Sequence, residues 1–190
     1  MREGWFLILL GILKTTGLMQ DTNSEPNLLS HMDGLYRYAV VLCRNSASAA
    51  DLVQETYLRA LASRSQLRED SNVKGWLFTI LRNIWLNQLR KLRTAPEQAD
   101  VDMSELVPNP QVGRPQDPHS VLVRKVEAEE VRKAIRQLPE DFREIIVLRE
   151  YEELSYQEIA QVLNCPAGTV MSRLARARSR LRTLLAPLQL

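Results

Sequence analysis

Between Pro166 and Leu190 the chain carries five arginines and no acidic residue. Placed on a helical wheel, Val170, Leu174, Ala177, Leu181 and Leu184 fall within about 80° of arc, the width of a core-facing stripe. Thr169, Ser172, Arg173, Arg176 and Arg180 cluster on the adjoining arc, with no carboxylate in the same segment. The chemistry such a face can do is recognition rather than bond breaking. A guanidinium can donate two parallel hydrogen bonds to guanine O6 and N7, and hydroxyls can reach phosphates or base edges. The competing expectation is an arginine-rich surface helix paired with the acidic helices before it.

A reading face needs a second element to hold it against its target. Upstream, Ser155 and Glu158 have the S-x-x-E spacing of a capping box, and Ile159, Val162 and Leu163 supply the apolar stripe of a short helix. Asn164 is a turn residue that tolerates a left-handed backbone. Pro166 suits the first turn of the next helix. Two helices joined by a tight turn, the second of them basic, make a helix-turn-helix. Ahead of it the pattern predicts a helix over Val121–Gln137 and another opening at Pro139, burying Phe142, Ile145, Ile146 and Leu148.

The N-terminal half reads as further helices. Leu35, Tyr38, Ala39 and Leu42 share one face by i, i+3, i+4, i+7 spacing. After a break at Asn45–Ser48, Ser48 and Asp51 have capping-box spacing with Asp in place of Glu, and a second helix runs to about Ser63, burying Val53, Tyr57, Ala60 and Leu61. Asp51, Gln54, Glu55, Leu58 and Arg59 lie off that stripe. Gln66–Asn72 lacks periodicity and reads as a loop. A third helix starts near Val73 and ends near Arg93, with Trp76, Leu77, Ile80, Ile84 and Trp85 as its apolar stripe. Thr79, Arg82, Asn83 and Arg90 lie on one outward arc. Polar loops beside aromatic rings can hold unstacked bases, but the spacing of Trp76 and Trp85 points to the core.

Composition sets the frame. The chain has 190 residues and a net charge of +2, with 45% hydrophobic residues. Helix formers dominate, so the expected fold class is all-α: two small helical domains joined by a flexible linker, the C-terminal one a helix-turn-helix. The expected boundaries are a leader over 1–24, an N-terminal domain over 25–94, a linker over 95–119 and a C-terminal domain over 120–190. The linker holds Pro96, Pro108, Pro110, Pro115, Pro118 and an acidic excess. The split of charge along the chain suits a polyanion meeting one surface. The apolar run Trp5–Leu13 is too short to span a bilayer. It is read as a consequence of a mis-assigned start, with Met19 the true first residue, or else as a mobile leader or surface anchor. Cys43 and Cys165 suggest reduced thiols in the cytoplasm. His31 and His119 have no ligand-spaced partners, so neither metal nor cofactor is expected. No HExxH, GxSxG, P-loop or paired-carboxylate pattern occurs, which excludes the common enzyme classes.

Taken in order, three segments resemble those of a known family. Asp51-Leu-Val-Gln-Glu-Thr-Tyr-Leu-Arg-Ala is similar to the polymerase-binding helix of sigma factors. Trp76-Leu-Phe-Thr-Ile-Leu-Arg-Asn resembles their −10-element helix. Leu138-Pro, Leu154-Ser-Tyr-Gln-Glu-Ile-Ala and Gly168-Thr-Val-Met-Ser-Arg-Leu-Ala-Arg-Ala-Arg resemble their −35-reading module. With only a linker between the halves, the resemblance is to the extracytoplasmic-function group of the sigma-70 family.

The resemblance implies a protein that directs core RNA polymerase to promoters. It implies that Asp51, Gln54, Glu55, Leu58 and Arg59 dock on the β′ clamp helices, with the β flap as a further polymerase contact. Asp70, Ser71, Asn72 and Lys74 would capture a flipped −10 base, and Trp76, Arg82 and Asn83 would line the melted strand. Thr169, Met171, Ser172, Arg173, Arg176 and Arg180 would face the −35 element. Met171 stands where many relatives carry a basic residue, so their −35 preference does not transfer. A membrane-bound or soluble anti-sigma protein is the implied inhibitor, with no stable membrane insertion of the chain itself. The alternative is a stand-alone helix-turn-helix regulator that binds palindromic DNA as a dimer.

Overall fold

The computed structural model describes residues 28–64, 72–94 and 128–186. All regular structure in them is helical, in agreement with the all-α expectation. The expected leader and linker lie outside the described residues, as do residues 121–127 of the helix expected over Val121–Gln137. The chain divides into two units, Met1–His31 and Met32–Leu190. The described part of the first is a short 3-10 turn, Leu28–His31.

The second unit begins with α1 (Met32–Cys43), α2 (Ser46–Ala62) and α3 (Val73–Thr94). Leu35, Tyr38, Ala39 and Leu42 of α1 are buried, as their spacing predicts. The cap of α2 differs from the expectation. Asn45, not Ser48, is the N-cap: its side chain accepts a hydrogen bond from Ser48 N at 2.9 Å, and Ser48 lies within the first turn. Asn is at least as good a cap as Ser, and the earlier of two candidates closes the helix sooner. In α3 the buried stripe is Leu77, Phe78, Leu81 and Ile84. Trp76, Ile80 and Trp85 are only half-buried, so the expected stripe is rotated by about one residue. The ring of Phe78 packs on that of Tyr38, with centroids 5.3 Å apart.

The C-terminal half comprises α4 (128–136), α5 (Glu140–Ile146), α6 (Tyr156–Leu163) and α7 (Ala167–Leu185). Pro139 is the N-cap of α5. Phe142 is half-buried rather than buried, and Arg143 and Glu144 are buried in its place. The Arg143 guanidinium donates to the carbonyls of Arg136 and Leu138 at 3.0 and 2.9 Å, closing the orphan C-terminus of α4. α5 runs on into a π-helical turn, Val147–Tyr151, closed by Glu152 N donating to Val147 O at 3.1 Å. Arg44, Glu153 and Asn164, each just past a helix end, are left-handed at φ 55, 54 and 49°, the reversal that terminates helices. Cys43 is a buried free thiol whose pKa burial, with help from Asp51, pushes up to about 12.

The two halves do not stand apart. They share the unit Met32–Leu190, with α1 and α3 of the first half packed on α5, its π turn and α6 of the second.

Candidate nucleic-acid interface

The turn into α7 is built as its residue types require. Ser155 and Glu158 form a complete capping box, each side chain bonding the other's backbone N–H. Asn164 turns the chain in a left-handed conformation, and its own N–H and that of Cys165 satisfy the last carbonyls of α6. Pro166 then caps α7. Val170, Leu174 and Ala177 anchor α7 in the core, whereas Leu181 and Leu184 are only half-buried.

Outside this apolar stripe of α7, Met171, Ser172, Arg176 and Arg180 are exposed and Thr169 is half-buried. Ser172 Oγ donates to Thr169 O at 3.1 Å, and Arg176 Nε lies 3.3 Å from Ser172 O. These local bonds still leave donors for an incoming ligand. The expectation of a face free of carboxylates needs one correction. Arg173 reaches Asp141 of α5 at 3.5 Å, a residue 32 positions away that no local pattern in α7 could show. Arg178 donates to one carboxylate oxygen of Glu150 through Nε and Nη2, at 3.0 and 2.6 Å.

On α2, Asp51, Leu58 and Arg59 are exposed and Gln54 and Glu55 half-exposed. Arg59 pairs with Glu55 one turn earlier, and Gln88 of α3 donates to the same carboxylate at 3.3 Å. Leu58 is 51% exposed, and with Met171 it is one of the large apolar side chains left exposed among the described residues.

The residues assigned to the −10 element are arranged differently. Asp70 and Ser71 lie outside the described residues. Asn72 accepts from Gly75 N at 3.1 Å, capping α3, and donates to Glu158. A Cβ at position 75 would lie 2.7 Å from the Asn72 amide nitrogen, so glycine permits this cap. Lys74 reaches Glu152, by its carbonyl oxygen and at 3.5 Å by its carboxylate. Arg82 donates to Glu144 at 2.8 Å, and Tyr38 Oη donates to the same oxygen at 2.6 Å. Burial pulls the Arg82 pKa down, but Glu144 more than offsets it and the net shift is upward. Burial, then Glu144, raises the Tyr38 phenol well above its ordinary value. Asn83 is exposed and Trp76 half-buried. Of this set, then, Asn72, Lys74 and Arg82 are already paired with acids of the C-terminal half. The local outward arc that marks Arg82 as available gives no sign of a partner 62 residues away. The buried Arg143 and Glu144 were missed for the same reason.

The Glu158 carboxyl is held below its ordinary value of 4.5, first by its hydrogen bond with the Ser155 side chain, against a burial penalty, and further by Ser155 N–H, Asn72 and Lys74. A lowered folded value means the group stabilises the fold above about pH 4.5, and that contribution is lost as pH falls through the folded value. Thermal melts of wild type and Glu158→Gln should therefore differ near pH 7 and converge near pH 3. A gap that stays equally wide at both would show that the charge is not what matters.

Comparison with known proteins agrees with this geometry. Residues 28–94 match the Sigma-70 region 2 family and residues 128–181 match Sigma-70, region 4. The chain is 40% identical to the ECF RNA polymerase sigma factor EcfG of Rhodopseudomonas palustris, over 84% of this chain and 83% of the relative. It is 35% identical to the ECF RNA polymerase sigma-E factor of Escherichia coli, over 75% of this chain and 76% of that one. Among solved structures, it resembles the sigma factor RpoE of Bartonella quintana, crystallised in complex with the anti-sigma factor NepR. The TM-score is 0.64 at 32% identity, covering 84% of this chain and 94% of that one. Matches to both regions, in this order and over this length, place the chain in the ECF subfamily of sigma-70 RNA polymerase sigma factors.

Proposed function

We propose that the N-terminal domain, 25–94, docks on core polymerase and handles the melted −10 strand, while the C-terminal domain, 120–190, reads the −35 duplex across the 95–119 linker. The observation that carries this reading is the match of residues 28–94 and 128–181 to two different sigma regions. A stand-alone dimeric regulator would need only the second. The face of α2 suits the β′ clamp helices, since Leu58 offers an apolar centre ringed by Asp51, Gln54, Glu55 and Arg59. The mechanism is binding free energy throughout, without catalysis by this chain. α7 anchors on duplex, and the N-terminal domain stabilises bases already unstacked, which lowers the cost of opening.

No helix among the described residues is long and apolar enough to cross a membrane, and we place the protein's action in the cytoplasm with the polymerase. A partner of the anti-sigma class, as in the Bartonella complex, would hold it inactive.

Purified chain added to core polymerase and a genomic template pool should give transcripts with defined starts. Failure to form a stable complex with core would overturn the assignment. Within the −35 module, Arg176→Ala should weaken binding by about 1–3 kcal/mol and relax preference at one base if the contact is to a base edge. Equal loss on every sequence would assign it to phosphate.

A further inference from the structure

α7 keeps one large apolar side chain out of the core. Met171, its fifth residue, is 51% exposed. Its neighbours on the helix surface are small: Gly168 one turn back, Ser172 beside it and Ala175 one turn on, all of them exposed. A Cβ at Gly168 would meet nothing within 4 Å. A long side chain on a helix leans toward the N-terminus, so Met171 projects over open ground. That is the end of a recognition helix whose residues contact base edges.

The two flanks of this face differ in chemistry. Ser172 and Arg176 supply hydroxyl and guanidinium donors on one side. On the other, Arg178 lies seven residues after Met171, about 20° away around the helix. Its Nε and Nη2 both turn to Glu150, at 3.0 and 2.6 Å. The Met171 flank therefore presents an apolar surface where its neighbour presents donors. A thioether donates no hydrogen bond. Laid on guanine, it would strip water from O6 and N7 and return nothing. The apolar group that base edges do show in the major groove is the thymine 5-methyl. The unbranched, polarisable methionine chain can follow so small a target.

We propose that Met171 is a specificity residue: it packs on the 5-methyl group of a thymine and so selects a T·A pair at one position of the −35 element. The proposal rests on the promoter-binding reading above and adds to it the base that this side chain prefers. Burying one methyl group is comparable to burying one methylene, which corresponds to about four-fold in affinity. A factor of that size leaves overall promoter affinity to the arginines. It decides between promoters that differ at that one pair.

The test uses holoenzyme made from the full chain and core polymerase. Transcript starts from the genomic template pool give the promoters, which are aligned upstream of each start. Wild type should show one −35 position enriched in thymine, and Met171→Ala should lose that enrichment. Met171 is exposed and alanine favours a helix, so the variant keeps its fold. In a synthetic promoter duplex, deoxyuridine then replaces that thymine, which removes the methyl group and keeps every hydrogen-bonding atom. The exchange should weaken binding by wild-type holoenzyme about four-fold. Met171→Ala should bind both duplexes equally. Met171→Leu should keep a penalty close to that of wild type, since leucine restores an apolar side chain of similar volume. A uridine penalty equal in wild type and Met171→Ala, or absent from both, would overturn the proposal. A wild-type holoenzyme that gives no defined starts would instead overturn the promoter reading on which it rests.

Discussion

Leu58→Asp should cut affinity for core polymerase by at least about thirty-fold, some 2 kcal/mol, while leaving the fold intact. Leu58 is half in water already, so the free protein loses little packing. The effect arises on docking, when the aspartate must be dehydrated at the centre of an interface without a partner. Its neighbours Glu55 and Arg59 satisfy each other, which leaves no spare cation on α2 to receive the new charge. Co-elution with core on size exclusion, alongside a thermal melt of the free variant, separates the two effects. Normal co-elution would remove α2 from the polymerase-binding surface.

Phe78→Ala should destabilise the protein by about 3–5 kcal/mol, against a total of about 5–15 for a domain. Phe78 is fully buried, beside Leu77 and Leu81 of the same helix, and its ring supports that of Tyr38. Removing it leaves a cavity under a phenol that must stay in place to reach Glu144. The loss therefore reaches both the core of the first half and the junction with the second. Urea denaturation measures it; a change under about 1 kcal/mol would mean that the site collapses around the missing ring.

Much of this architecture was legible one helix at a time. Ser155 and Glu158, Asn164 and Pro166 each act through bonds within a few residues, so their types alone fixed the turn into α7. The same holds for Leu35, Tyr38, Ala39 and Leu42 on one side of α1. Competition between adjacent candidates blurred the rest of the local picture: Asn45 displaced Ser48 as a cap, and Phe78 and Leu81 displaced Trp76 and Ile80 on the inner face of α3. What periodicity could not show was pairing over long separations. Arg82 and Glu144 are both charged and both look solvent-facing within their own helices, yet they pair across 62 residues, with Glu144 buried and Arg82 half-buried. The face of α2 proposed to meet polymerase was suggested by family resemblance alone, since a mixed charged surface with one leucine carries no signature of its own.

The wide turn at Val147–Tyr151 fixes the angular phase of everything that follows it. In a regular α-helix each residue advances the chain by about 100°, so removing one residue here would rotate Glu152, the capping box and α7 together about the axis of α5. The protein should accordingly accept substitutions in this stretch far more readily than a change in its length. A one-residue deletion would leave every side chain of α7 present and aim the whole set in another direction.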